Sequence, residues 1–99
     1  MIDWIIWAII GLIGAATALA IISIAAIYEC VRNWWGSGIN VLVVDPSTSA
    51  ELEKIAASKG THRHIRFIYN KSTGQRKMVE SDSISDELAN NKKVKLYVS

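Results

Sequence analysis

Between Asp3 and Glu29 the chain carries no charged side chain, and from Trp4 to Tyr28 its only polar groups are the hydroxyls of Thr17 and Ser23 and the tips of aromatic rings. No other feature limits the fold as strongly. As a continuous helix, Ile5 to Ile27 would span roughly 34 Å, enough to cross a hydrocarbon layer of about 30 Å. A helix of this length in a water-facing protein shows a polar face, and this run has none. The two hydroxyls can bond back to a carbonyl one turn earlier, which makes them cheap in lipid. The run predicts a single transmembrane helix, with residues 1–29 as an uncleaved anchor. A signal peptide would need a basic start and a shorter apolar stretch, and no Lys or Arg precedes this one.

The flanks suit the same expectation. Trp4 and Trp7 stand at one end, and Tyr28, Trp34 and Trp35 at the other, as membrane-interface anchors do. The nearest basic residue, Arg32, follows the run, which puts the N-terminus outside and the C-terminal part in the cytoplasm of a single-pass protein of the inner or plasma membrane. Wound as a helix, Gly11, Gly14, Ala15, Ala18 and Ala25 gather on one side. Small residues at such spacing form helix-packing faces in lipid. The partners implied are the bilayer itself and either further copies of the chain or another membrane protein.

Residues 30–38 read as an interfacial linker ending in the Gly36-Ser37-Gly38 joint, and residues 39–99 as a small soluble α+β domain. Ile39 to Val44 is β-branched and apolar on both sides, which predicts a central strand. Asp45-Pro46, or Thr48 with Glu51, starts a helix carrying Leu52, Ile55 and Ala56, and Gly60 stops it. His62 to Tyr69 alternates as a strand, residues 70–74 form a hairpin loop, and Gln75 to Glu80 returns. Ser83 and Asp86 open a short helix, and Val94, Leu96 and Val98 alternate in a last strand. The order βαββαβ predicts a ferredoxin-like two-layer sandwich, with a different mixed α+β sheet as the alternative. The run from Ile65 to Ser85 resembles, in general pattern, the strand-turn-strand of WYL-type ligand-sensing domains, and nothing of that family's function is transferred.

Composition narrows the function classes. The single cysteine, Cys30, excludes an intramolecular disulfide. A formal net charge of +2 is too small for binding polyanions by bulk charge. His62 and His64 share a strand face, but two imidazoles fall short of the three or four ligands a metal site needs, so no metal and no cofactor is expected. No glycine-rich phosphate loop and no nucleophile with a base and an orienting group is evident, so catalytic residues are not expected. The basic residues Arg63, Arg66, Lys71, Arg76, Lys77, Lys92, Lys93 and Lys95 cluster on the hairpin and the last strand, where they could meet an anionic ligand or lipid headgroups. Nucleic acid is disfavoured, because Phe67, Tyr69 and Tyr97 would fall on edge strands, away from the central strands where RNA-binding sheets stack bases.

The expected function is a membrane-anchored, non-enzymatic interaction protein, an accessory or self-assembling subunit that uses the small-residue helix face and the domain sheet. The alternative is a membrane-tethered sensor or effector whose domain binds a nucleotide or lipid headgroup. In a two-layer fold the uncovered sheet face would expose Val41 or Leu42 beside Met78 or Val79, and exposed apolar sheet marks a contact surface.

Overall fold

The computed structural model describes residues 14–99. They form a five-stranded mixed sheet with three helices: β1 (Thr17–Ala18), α1 (Ile24–Trp35), β2 (Ile39–Val44), a 3-10 turn (Pro46–Thr48), α2 (Ala50–Lys59), β3 (His64–Asn70), β4 (Arg76–Ser81), α3 (Asp86–Ala89) and β5 (Lys93–Val98). The strands lie side by side in the order β1-β4-β3-β2-β5.

The apolar run does not continue as one helix. Thr17 and Ala18 pair in parallel with Val79 and Glu80, and Ile22 bridges to Ile84. Ser23 is extended, and its Oγ accepts from the Ala26 N–H at 3.1 Å. That hydroxyl is the N-cap of α1, so the helix begins at Ile24 rather than passing through. Among the described residues no helix is long and apolar enough to cross a membrane. The expected transmembrane anchor, and the membrane placement and sidedness built on it, are therefore corrected. The physical reason is an alternative sink for the apolar residues. Ile22, Ile27 and Val31 are fully buried in one cluster with Val41, Val43, Ile68, Val79, Leu88 and Val98. A sheet of this size needs such a cover, because a small domain buries too little on its own.

The helix α1 also runs through the expected boundary between anchor and linker. Tyr28, Trp34 and Trp35, expected at a lipid interface, pack against that same cluster. The Trp34 and Trp35 rings meet edge to face with centroids 5.5 Å apart. Gly36 and Gly38 adopt φ of 91° and 75°, and the turn between them swings the chain from α1 into β2. The Gly38 N–H then donates to the Val98 carbonyl.

The sheet is not ferredoxin-like. That topology would place β4 between β2 and β3. Here β2 and β3 are direct antiparallel neighbours, with Val41 opposite Asn70 and Val44 opposite Phe67. The connection carrying α2 thus returns to the end of the sheet it left, instead of crossing to the far end. Both faces are covered in part, giving three layers rather than two. One face carries α1 and α3 over Val41, Val43, Ile68 and Val79. The other carries α2, whose Ile55, with Leu52 and Ala56, packs on Phe67, Met78 and Ile65.

Candidate functional site

The second face is only half covered. The helix α2 is fixed at both ends. At its start Asp45 Oδ1 accepts from the Ser47 N–H at 2.8 Å, closing the 3-10 turn, and Ser49 caps the helix. At its end Glu80, on β4, accepts from the Thr61 N–H at 2.7 Å, the Thr61 hydroxyl at 3.1 Å and the His62 N–H at 3.2 Å. Burial pushes the Glu80 carboxyl up, but these donors outweigh it and hold it below the ordinary glutamate value. Asp45 behaves alike: burial raises it, while the Ser47 donors and the nearby Arg66 and Lys92 charges bring it down.

Between α2 and β5 the sheet stays open. A groove of about 420 Å³ runs there, lined by Leu42, Val44, Leu52, Phe67 and Tyr69, with Ser49, Glu51 and Arg76 at its rim. Cross-strand register shows how it is composed. Arg76, Tyr69, Leu42 and Lys95 are consecutive partners across β4, β3, β2 and β5. Met78, Phe67, Val44 and Lys93 form the next row. Directly opposed residues share a face. Each row therefore runs from β4 over two apolar side chains to a lysine, and in the first row β4 contributes a cation too. Val94, Leu96 and Val98 point to the α1 side, so Lys93, Lys95 and Tyr97 point to the groove side. Lys93, Lys95 and Tyr97 are exposed, Tyr97 by 60%. The Arg76 guanidinium lies 5.5 Å from the Tyr69 ring centre. Glu51 is the acid of the rim; its Oε2 accepts from the Ser49 hydroxyl at 2.6 Å, which lowers its pKa.

The basic residues expected to act together are divided by the fold. Arg76, Lys93 and Lys95 share the groove face. Lys77 is on the opposite face, with its Nζ 5.6 Å from the Trp34 ring centre. Arg66 is buried on that face too, 3.3 Å from Asp45 and donating to the Leu88 carbonyl, which removes it from any ligand surface. Arg63 is held by its backbone to Asp82, Lys71 opens the hairpin turn and Lys92 lies before β5, all three exposed.

The expected small-residue stripe is not assembled on one helix. Gly14 and Ala15 precede the first strand, Ala18 is in β1 and Ala25 is on the exposed side of α1. Gly11, Trp4 and Trp7 lie outside the described residues. Of the apolar residues expected at the open sheet face, Leu42 borders the groove, whereas Val41, Val79 and Met78 are buried. Cys30 is half-buried in α1, and burial, with the Glu29 charge, pushes its thiol up. Among the described residues no group of three or more histidines, cysteines and carboxylates could hold a metal.

The chain matches no protein-family model, no curated protein and no solved structure. The groove must therefore be read from its own chemistry. The edge-strand reason against nucleic acid no longer holds for Phe67 and Tyr69, since β3 lies mid-sheet. A different one replaces it: Phe67 is buried beneath α2 and Arg76 stands over the Tyr69 ring. Sequence reasoning missed Tyr69 and Phe67 as cross-strand partners of Leu42 and Val44. Their pairing depends on strand order, which no local pattern encodes.

Proposed function

We propose that this chain is a non-enzymatic interaction module that binds a protein partner through the half-covered sheet face between α2 and β5. One observation carries the reading: Leu42, Val44 and Tyr69 stay partly open in a preformed groove, while Val41, Val43 and Ile68, their neighbours on the same strands facing the other way, are buried. Leaving such side chains in water forgoes stabilisation of about 25 cal/mol per Å², so a retained apolar strip suits a contact surface. The groove rim offers one carboxylate, Glu51, with neither histidine nor cysteine beside it, which suits binding better than proton transfer.

Site-specific photo-crosslinking tests this. A crosslinker at Lys95, on the groove face, is expected to give a discrete protein adduct in cells. The same group at Glu87, exposed on the outer side of α3, gives none. Introducing Leu42→Asp abolishes the adduct. Equal labelling from both positions, or an adduct indifferent to Leu42→Asp, would overturn the reading.

A further inference from the structure

We infer that the groove takes an extended peptide segment in which two acidic residues flank a large apolar one. This deepens the interaction reading above and rests on it. The cations do not gather at one end of the groove. They stand on both sides of its apolar floor: Arg76 on β4, and Lys93 and Lys95 on β5. Three strand spacings separate Arg76 from Lys95, or about 14 Å at 4.7–4.9 Å per spacing. A single-headed amphiphile would engage one flank and leave the other unused. An extended peptide laid across the strands engages both. It rises about 3.3 Å per residue with alternate side chains on one side, so acids at positions i and i+4 are about 13 Å apart. The residue at i+2 then points down between them, onto Leu42, Val44 and Tyr69.

The charges select for this arrangement. Among the described residues Arg76 has no carboxylate within ion-pair distance, and neither have Lys93 and Lys95. All three are placed to accept an incoming anion without breaking an existing pair. Glu51 stands on the α2 rim and repels acids from that side, which leaves the two strand flanks as their seats. A single-stranded nucleic acid also brings anions. It needs successive ring faces to stack on, and beside the exposed Tyr97 at the β5 edge the floor offers aliphatic Leu42 and Val44 and a Tyr69 ring already under Arg76.

The test is a titration of the ¹⁵N-labelled full chain with the pentapeptide Glu-Thr-Phe-Thr-Glu. Parallel titrations use its Gln-ended and Lys-ended forms and a single-stranded oligonucleotide of equal length. The acidic peptide is expected to shift the amides of Leu42, Val44, Tyr69, Arg76 and Lys95. The Gln-ended form binds about tenfold more weakly and the Lys-ended form less well still, since charge-assisted contacts carry the selectivity. Either Arg76→Gln or Lys95→Gln costs the acidic peptide severalfold and leaves the Gln-ended peptide unaffected, with the variant's own spectrum confirming its fold. Equal binding of the acidic and Gln-ended forms, shifts centred elsewhere, or preference for the oligonucleotide would overturn the inference. If the Lys95 crosslink and its loss with Leu42→Asp stand while the peptide fails, the partner chemistry alone is wrong. If the crosslink also fails, the interaction reading falls with it.

Discussion

Replacing Ile27 by alanine removes three carbons from the middle of α1 at a side chain with no exposed surface. At about 0.8 kcal/mol per methylene, the lost transfer free energy is roughly 2.4 kcal/mol. The hole left behind, on the order of 50–75 Å³, adds ~1–2 kcal/mol at about 24 cal/mol per Å³. A loss of roughly 3.5–4 kcal/mol is a large part of the 5–15 kcal/mol that a domain usually holds. At about 4–8 °C per kcal/mol, the midpoint of thermal unfolding should fall by roughly 15–30 °C. Ile27→Val, removing one methyl, should cost about 0.5–1.5 kcal/mol and place a point between the two. Ala25→Ser, on the exposed side of the same helix, should stay within about 0.5 kcal/mol of the parent. Urea titrations followed by circular dichroism would supply the three values. An Ile27→Ala protein as stable as Ala25→Ser would refute the packing of α1 on the sheet.

Ser23→Ala removes the N-cap of α1 and should cost about 1 kcal/mol in the same titrations. Gly60→Ala would place a methyl 2.6 Å from the Ala56 carbonyl oxygen and against the Ile65 side chain, so a loss of about 1–3 kcal/mol is expected. Stability should also fall on acidification. Glu80 is held below its ordinary value when folded, so the folded chain binds fewer protons than the unfolded one. Its contribution is present above the ordinary glutamate value and is lost as pH falls from there through the folded value. Equilibrium unfolding at a series of pH values should show this acid limb, and Glu80→Gln should flatten it.

Much of the local structure was legible. The β-branched run Ile39–Val44, the alternation before the 70–74 turn and the Gly60 stop appear where periodicity and turn chemistry put them. The apolar segment was not legible in the same way. A stretch without charges satisfies a bilayer and a protein core equally well, and local pattern cannot say which apolar surface is on offer. Ser23 held the missing signal, because a hydroxyl inside an apolar run can cap a helix as readily as sit within one. Strand order was hidden for another reason. An α2 connection of this length permits either a crossover or a return, and the choice decides whether Leu42 meets Tyr69. The groove inherits that ambiguity, since Phe67 and Tyr69 join Leu42 and Val44 in its floor only once β3 pairs with β2.

The placement of β1 and α1 has a consequence for biosynthesis. The Ser81 hydroxyl donates to the Ala20 carbonyl 61 residues earlier, and Tyr28 meets Ser99 across 71. A ribosome delivers this apolar stretch well before β4 and β5 exist to receive it. Until they emerge, Ile22, Ile27 and Val31 have nowhere of their own to go, and exposed apolar surface invites aggregation or chaperone capture. Folding speed should accordingly be limited by closing this long loop rather than by forming any helix. Slowing translation would lengthen the vulnerable interval, whereas moving the segment behind β5 by circular permutation would shorten it.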